Sequence, residues 1–73
     1  MRGAGDELSV GERIAFYRVR RGLTQRELAS RMGTSQAAIA RLEAGGVGAT
    51  LTTLQKVATA LNLEVAVLLR PAS

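Results

Sequence analysis

The chain contains no cysteine, no histidine and no tryptophan, and a single proline. The absent cysteines exclude a disulfide framework and every thiolate metal site, and the absent histidines remove the commonest metal ligand and the commonest general base. Aromatic residues are nearly absent as well, since Phe16 and Tyr17 are the whole set. The longest apolar run is the five residues Val65 to Leu69, far short of the roughly 20 that span a bilayer. The opening MRGAGDELS has neither an apolar core nor a small-residue cleavage pattern, so a cytoplasmic location and no membrane contact are expected. Without a paired-carboxylate constellation either, no catalytic residue, metal or cofactor is assigned and an enzyme is not expected.

What remains is small, apolar and basic. Seventy-three residues, 47% of them hydrophobic, make one domain that can bury about 60% of its unfolded surface. Nine arginines and one lysine stand against one aspartate and five glutamates, a net charge of +4 that favours a polyanionic partner. The cations are unevenly placed: Arg13, Arg18, Arg20, Arg21, Arg26, Arg31 and Arg41 crowd the middle, whereas Lys56 and Arg70 are the only ones after Glu43. Such a cluster is either a solvated face or a surface for polyanions.

Four helices are expected from local signals. Residues 1–8 are Gly-containing and aperiodic and are taken as an N-terminal lead. Ser9 and Glu12 form a capping box that opens a first helix to Arg21, stopped by Gly22. Val10, Ile14 and Tyr17 share one of its faces, while Phe16 and Val19 lie on another, suited to a side pocket or a subunit contact. Thr24 and Glu27 form a second box, opening a short helix to Met32 that ends at Gly33, with Leu28, Ala29 and Met32 facing inward. Ser35 caps a third helix from Gln36 to about Ala44. Two short helices around so brief a Gly-containing turn are the signature of a helix-turn-helix. Thr50 caps a fourth helix, whose Leu51, Leu54, Val57, Ala58 and Leu61 fall within an arc of roughly 120°. From Leu63 to Leu69 the apolar residues alternate and Pro71 ends the segment, which reads as a strand. No second strand is visible to pair with it, so its expected partner is the same strand of another subunit.

The third helix divides sharply. Ala38, Ile39 and Leu42 make the inward arc, and Gln36, Ala37, Ala40, Arg41 and Ala44 an outward arc of about 140° without one bulky apolar residue. That face is either an ordinary solvated surface or one slim enough for a major groove about 12 Å wide, where Gln suits adenine and Arg suits guanine or a phosphate. Gln25 opens the second helix as Gln36 opens the third, placed either to brace Gln36 or to hold a phosphate at a helix N-terminus.

The segments RGLTQRELA, MGTSQAAIARLEAG and TLTTLQKVATAL, at this spacing, resemble the lambda-repressor-like, Cro/cI-type helix-turn-helix domain of the XRE family over nearly the whole chain. The resemblance implies an all-α, compact four-helix domain over residues 9–62 that binds double-stranded DNA. It places Gln36, Ala37 and Arg41 where the family contacts bases, and Gln25, Thr34 and Ser35 near phosphates. It also implies a structural ion pair between Arg18 and Glu43. Two departures stand out: position 37, polar in strong base readers, is alanine, and the loop Gly45 to Ala49 lacks the cation many members aim at the backbone. The C-terminal TLTTLQKVATALNLEVAVLLRPAS resembles the end of HipB-like antitoxins. That likeness implies a homodimer paired through the C-terminal strand and tail, residues 63–73, with Val65, Val67 and Leu69 at the interface. It also implies a kinase-like toxin as a further partner. The expected function is therefore a dimeric transcriptional repressor on a pseudopalindromic operator, with a toxin-neutralising antitoxin as the alternative.

Overall fold

The structure, a computed structural model, describes residues 8–66 together with Leu69 and Pro71. It contains α1 (Val10–Arg20), α2 (Gln25–Met32), α3 (Gln36–Gly45) and α4 (Leu51–Leu61). Each helix begins where a hydroxyl side chain satisfies an otherwise unpaired N–H of the first turn. Ser9, Thr24, Ser35 and Thr50 accept from the N–H groups of Glu12, Glu27, Ala38 and Thr53, respectively. Both capping boxes close reciprocally, with the Ser9 N–H donating to Glu12 at 3.0 Å and the Thr24 N–H to Glu27 at 2.8 Å. These backbone bonds, and the capping hydroxyls after them, hold both carboxyls below the usual glutamate range. Helices α2, α3 and α4 stop at left-handed residues where the sequence supplies tolerant ones: Gly33, Gly46 and Asn62.

The core is built from Ile14, Leu23, Leu28, Ala29, Ile39, Leu42, Val57 and Leu61, with Tyr17, Met32, Leu54 and Leu63 packed around it. Helix α3 packs on α1 and α2, and α4 closes the far side against α2. Leu23, which helical periodicity does not assign to the core, is buried. It precedes the N-cap Thr24 and joins Leu28, four positions into α2, in the same cluster, so the pair forms a hydrophobic staple that fixes the entry angle of α2. Leu51 departs in the other direction. Expected on the buried arc of α4, it is 54% exposed, because the first residue of that helix projects beyond the edge of the core.

Gly11, in the first turn of α1, is buried and sets the spacing of α1 and α3. A Cβ there would lie 2.5 Å from the Glu43 carbonyl oxygen and 2.6 Å from that of Leu42. Only a residue without a side chain lets the two backbones meet this closely.

The expected strand over 63–69 lies only in part within the described residues. Among the described residues there is no strand, and Leu63 to Ala66 carry no regular structure. The expected partner is a second subunit, and among the described residues of the single chain no second strand is there to take up its backbone groups. Leu63 instead finishes α4, its N–H donating to the Ala58 carbonyl at 2.7 Å, and it is half-buried on the core. Val67 and the segment 1–7 of the N-terminal lead lie outside the described residues.

Candidate nucleic-acid interface

The turn between α2 and α3 consists of Gly33, Thr34 and Ser35. The Thr34 N–H reaches back to the Ala29 carbonyl at 2.9 Å, which closes the end of α2 and leaves the Thr34 side chain exposed. Ser35 accepts from the Ala38 N–H at 3.1 Å, so its own hydroxyl proton remains a donor. Burial of Ile39 and Leu42 then fixes the rotation of α3. With those two inward, Gln36, Ala37, Arg41 and Ala44 are exposed and Ala40 is half-buried. Thr34, Ser35, Gln36 and Ala37 thus form one continuous exposed run at the start of α3, and Arg41 follows further along the same helix. The face offers an amide that both donates and accepts, a guanidinium, two hydroxyls, and methyl-sized residues between them.

Behind this face sits a polar network that binds three elements together. The Arg18 guanidinium grips Glu43 with two bonds, Nε to Oε2 at 2.6 Å and Nη2 to Oε1 at 3.1 Å, and its Nη1 donates to the Leu23 carbonyl at 2.7 Å. Both side chains are largely withdrawn from water, at 14% and 7% exposure, so the bidentate geometry matters more than it would on an open surface. Gln25 completes the cluster: its Nε2 donates to Glu43 Oε1 at 3.0 Å. Of the two roles the sequence left open for this glutamine, bracing Gln36 is not what the structure contains. The half-buried amide is oriented by the end of α3, leaving its Oε1 and one Nε2 hydrogen unused by that bond.

A family model described as helix-turn-helix matches residues 14–68, most of the chain and all of α2, the turn, α3 and α4. The chain belongs to the helix-turn-helix family, of the Cro/cI (XRE) type. It is thus a DNA-binding domain, of a family not typically enzymatic. No curated protein matches the chain.

Within this helix-turn-helix domain the central arginines do not form one face. Arg21 donates to the Leu61 carbonyl at 2.8 Å and Arg31 to that of Ala60 at 3.4 Å, so both neutralise the C-terminal end of α4 rather than await a ligand. Arg13 turns back to the Leu8 carbonyl, and Arg20 stacks 4.9 Å above the Phe16 ring. Phe16 also meets Tyr17 edge to face at 5.1 Å, which settles it into a side cluster on α1, whereas Val19 is 63% exposed. Among the described residues, Arg26, Arg41 and Lys56 make no hydrogen bond or salt bridge through their charged groups. Linear sequence could not sort the cluster, because the partners of Arg18, Arg21 and Arg31 lie on other helices, 25 to 40 residues along the chain. Nor does any cluster of potential metal ligands occur among the described residues, or any helix long and apolar enough to cross a membrane.

Proposed function

We propose that this helix-turn-helix domain is a sequence-specific transcriptional regulator, a repressor, that lays α3 in the major groove. The observation that carries the reading is the exposed face of α3, where Gln36, Ala37 and Arg41 stand clear of the core behind a turn of exposed hydroxyl residues. Gln36 is the base reader with adenine as its best partner, Ala37 offers at most contact with a thymine methyl, and Arg41 reads guanine or holds a phosphate. Thr34 and Ser35 supply donors to the backbone, and Gln25 positions the N-terminus of α2 over a phosphate with the hydrogen left over from its bond to Glu43. The test compares cognate and random duplexes, after selection of a preferred site. Gln36→Ala should cost about 1 to 3 kcal/mol and flatten discrimination at one base pair per half-site. Equal losses on both duplexes would remove Gln36 as a reader.

The slim face of one α3 is a weak basis for the 10³-fold or greater discrimination typical of regulators. A homodimer that sets two such helices about 34 Å apart on a pseudopalindrome supplies the rest. Support comes from Val65 and Leu69, which are 37% and 93% exposed and would gain cover and backbone pairing from a second copy. Replacing both with Asp leaves the core untouched, so a variant that still sediments as a dimer would refute this assembly. The same exposed apolar residues suit the second reading, an antitoxin that holds a kinase-like toxin, in the manner of the HipB-like proteins it resembles. Tight binding of such a toxin with DNA affinity indistinguishable from background would favour that reading over the first.

A further inference from the structure

The loop between α3 and α4, residues 46–50, has no cation in its sequence, yet the fold brings one to its side. A cavity of about 260 Å³ opens between this loop and the α2–α3 turn, and Thr34, Gly48, Thr53 and Lys56 are among the residues that line it. Buried Leu42 and half-buried Met32 line it as well. No acidic residue contributes to the lining. Glu27 is bonded to Thr24 and Glu43 to Arg18, and among the described residues no salt bridge involves Lys56.

Several hydrogen-bond donors around the cavity are unspent. Thr50 accepts from the Thr53 N–H at 3.1 Å and donates its own hydroxyl to Thr53 Oγ1 at 3.0 Å, so the Thr53 hydroxyl proton is left to point elsewhere. The Gly48 N–H has no backbone acceptor among the described residues. One ammonium, the hydroxyls of Thr34 and Thr53 and a spare amide, with no opposing carboxylate, make a site for a tetrahedral oxyanion. Thr34 belongs both to this cavity and to the exposed run that begins α3, so the site is continuous with the proposed DNA face.

We propose that this cleft holds a backbone phosphate of bound DNA, with Lys56 as its cation, replacing from α4 the charge that the loop itself lacks. The inference rests on the DNA-binding reading above. A phosphate contact is sequence-independent, so a random duplex is sufficient to test it, by fluorescence anisotropy over a salt series. Lys56→Gln should lower the magnitude of the slope of log K against log salt by about 1 and weaken cognate and random duplexes alike, while Lys56→Arg should keep the wild-type slope. Because the Lys56 side chain is exposed, thermal unfolding of both variants should match wild type. In duplexes carrying single uncharged methylphosphonates, one position should weaken the wild type and leave Lys56→Gln unaffected. A wild type that binds DNA alongside a Lys56→Gln variant of unchanged slope overturns this site alone. A wild type that binds no duplex overturns the DNA-binding reading and the site together.

Discussion

Gly11→Ala sets two effects of opposite sign against each other. Helix propensity favours alanine over glycine inside a helix by about 0.5 to 1 kcal/mol, and the loss of freedom in the unfolded chain acts in the same direction. By that reasoning alone, the variant should be more stable. The contacts argue otherwise, since the added Cβ meets the Glu43 carbonyl oxygen at 2.5 Å, that of Leu42 at 2.6 Å and the Glu43 carbonyl carbon at 2.9 Å. These are backbone atoms of a helix packed on both sides, so no side chain can rotate away. Helix α1 must lift from α3, loosening the seam that also carries the Arg18 grip on Glu43. Overpacking of this kind costs typically about 1 to 3 kcal/mol, and rigid backbone on both sides puts this case at the upper end. After subtraction of the propensity gain, the expected net loss is about 2 kcal/mol. For a domain of this size that lowers Tm by about 8 to 16 °C, read by far-UV circular dichroism. Gly45→Ala is the internal control, because Gly45 is also helical, has open space where a Cβ would go and does not need a positive φ. There, the propensity gain should appear unopposed, as a Tm rise of about 2 to 8 °C. A Gly11→Ala protein as stable as wild type, or more so, would refute the close approach of α1 and α3.

Arg18→Met strips Glu43 of its guanidinium and leaves it mostly buried with the Gln25 amide alone, which should cost about 3 to 5 kcal/mol in urea unfolding. Arg18→Met combined with Glu43→Leu should recover much of that loss; additive losses would mean the pair is not coupled as drawn. Asn62 holds φ 56 and ψ 51 at the end of α4, so Asn62→Ala should destabilise by about 1 kcal/mol and Asn62→Gly by little or nothing, as thermal melts would register. Glu12 and Glu27 are held below their ordinary range by the N-cap backbone bonds, so their stabilising contribution is complete above the unfolded value of about 4.3 and is lost as pH falls through the lower folded values. Tm should therefore decline on the acid side of that value, and Glu12→Gln with Glu27→Gln, which keeps the cap acceptors but removes their titration, should make the decline shallower.

The four helices and their ends were legible in the sequence because the signals that make them are short-range. A hydroxyl and the N–H it caps stand three residues apart, in Ser9 with Glu12 and Thr24 with Glu27, and the glycine that ends α2 is the next residue along. The rotation of α3 was legible for a similar reason: Ile39 and Leu42 must turn inward, and Gln36 and Arg41 follow on the other side. The pairing of Arg18 with Glu43 came from resemblance to a family, not from any local pattern. Only the tertiary structure decided that Gln25 belongs to Glu43, that Arg21 and Arg31 serve the end of α4, that Gly11 is the contact point of two backbones, and that Lys56 stands beside a loop without charge. Each of these joins residues from different helices or loops, some as far apart as Arg21 and Leu61. Such a contact depends on how whole helices pack, and two side chains at that separation exert no force on each other until the core has brought their elements together.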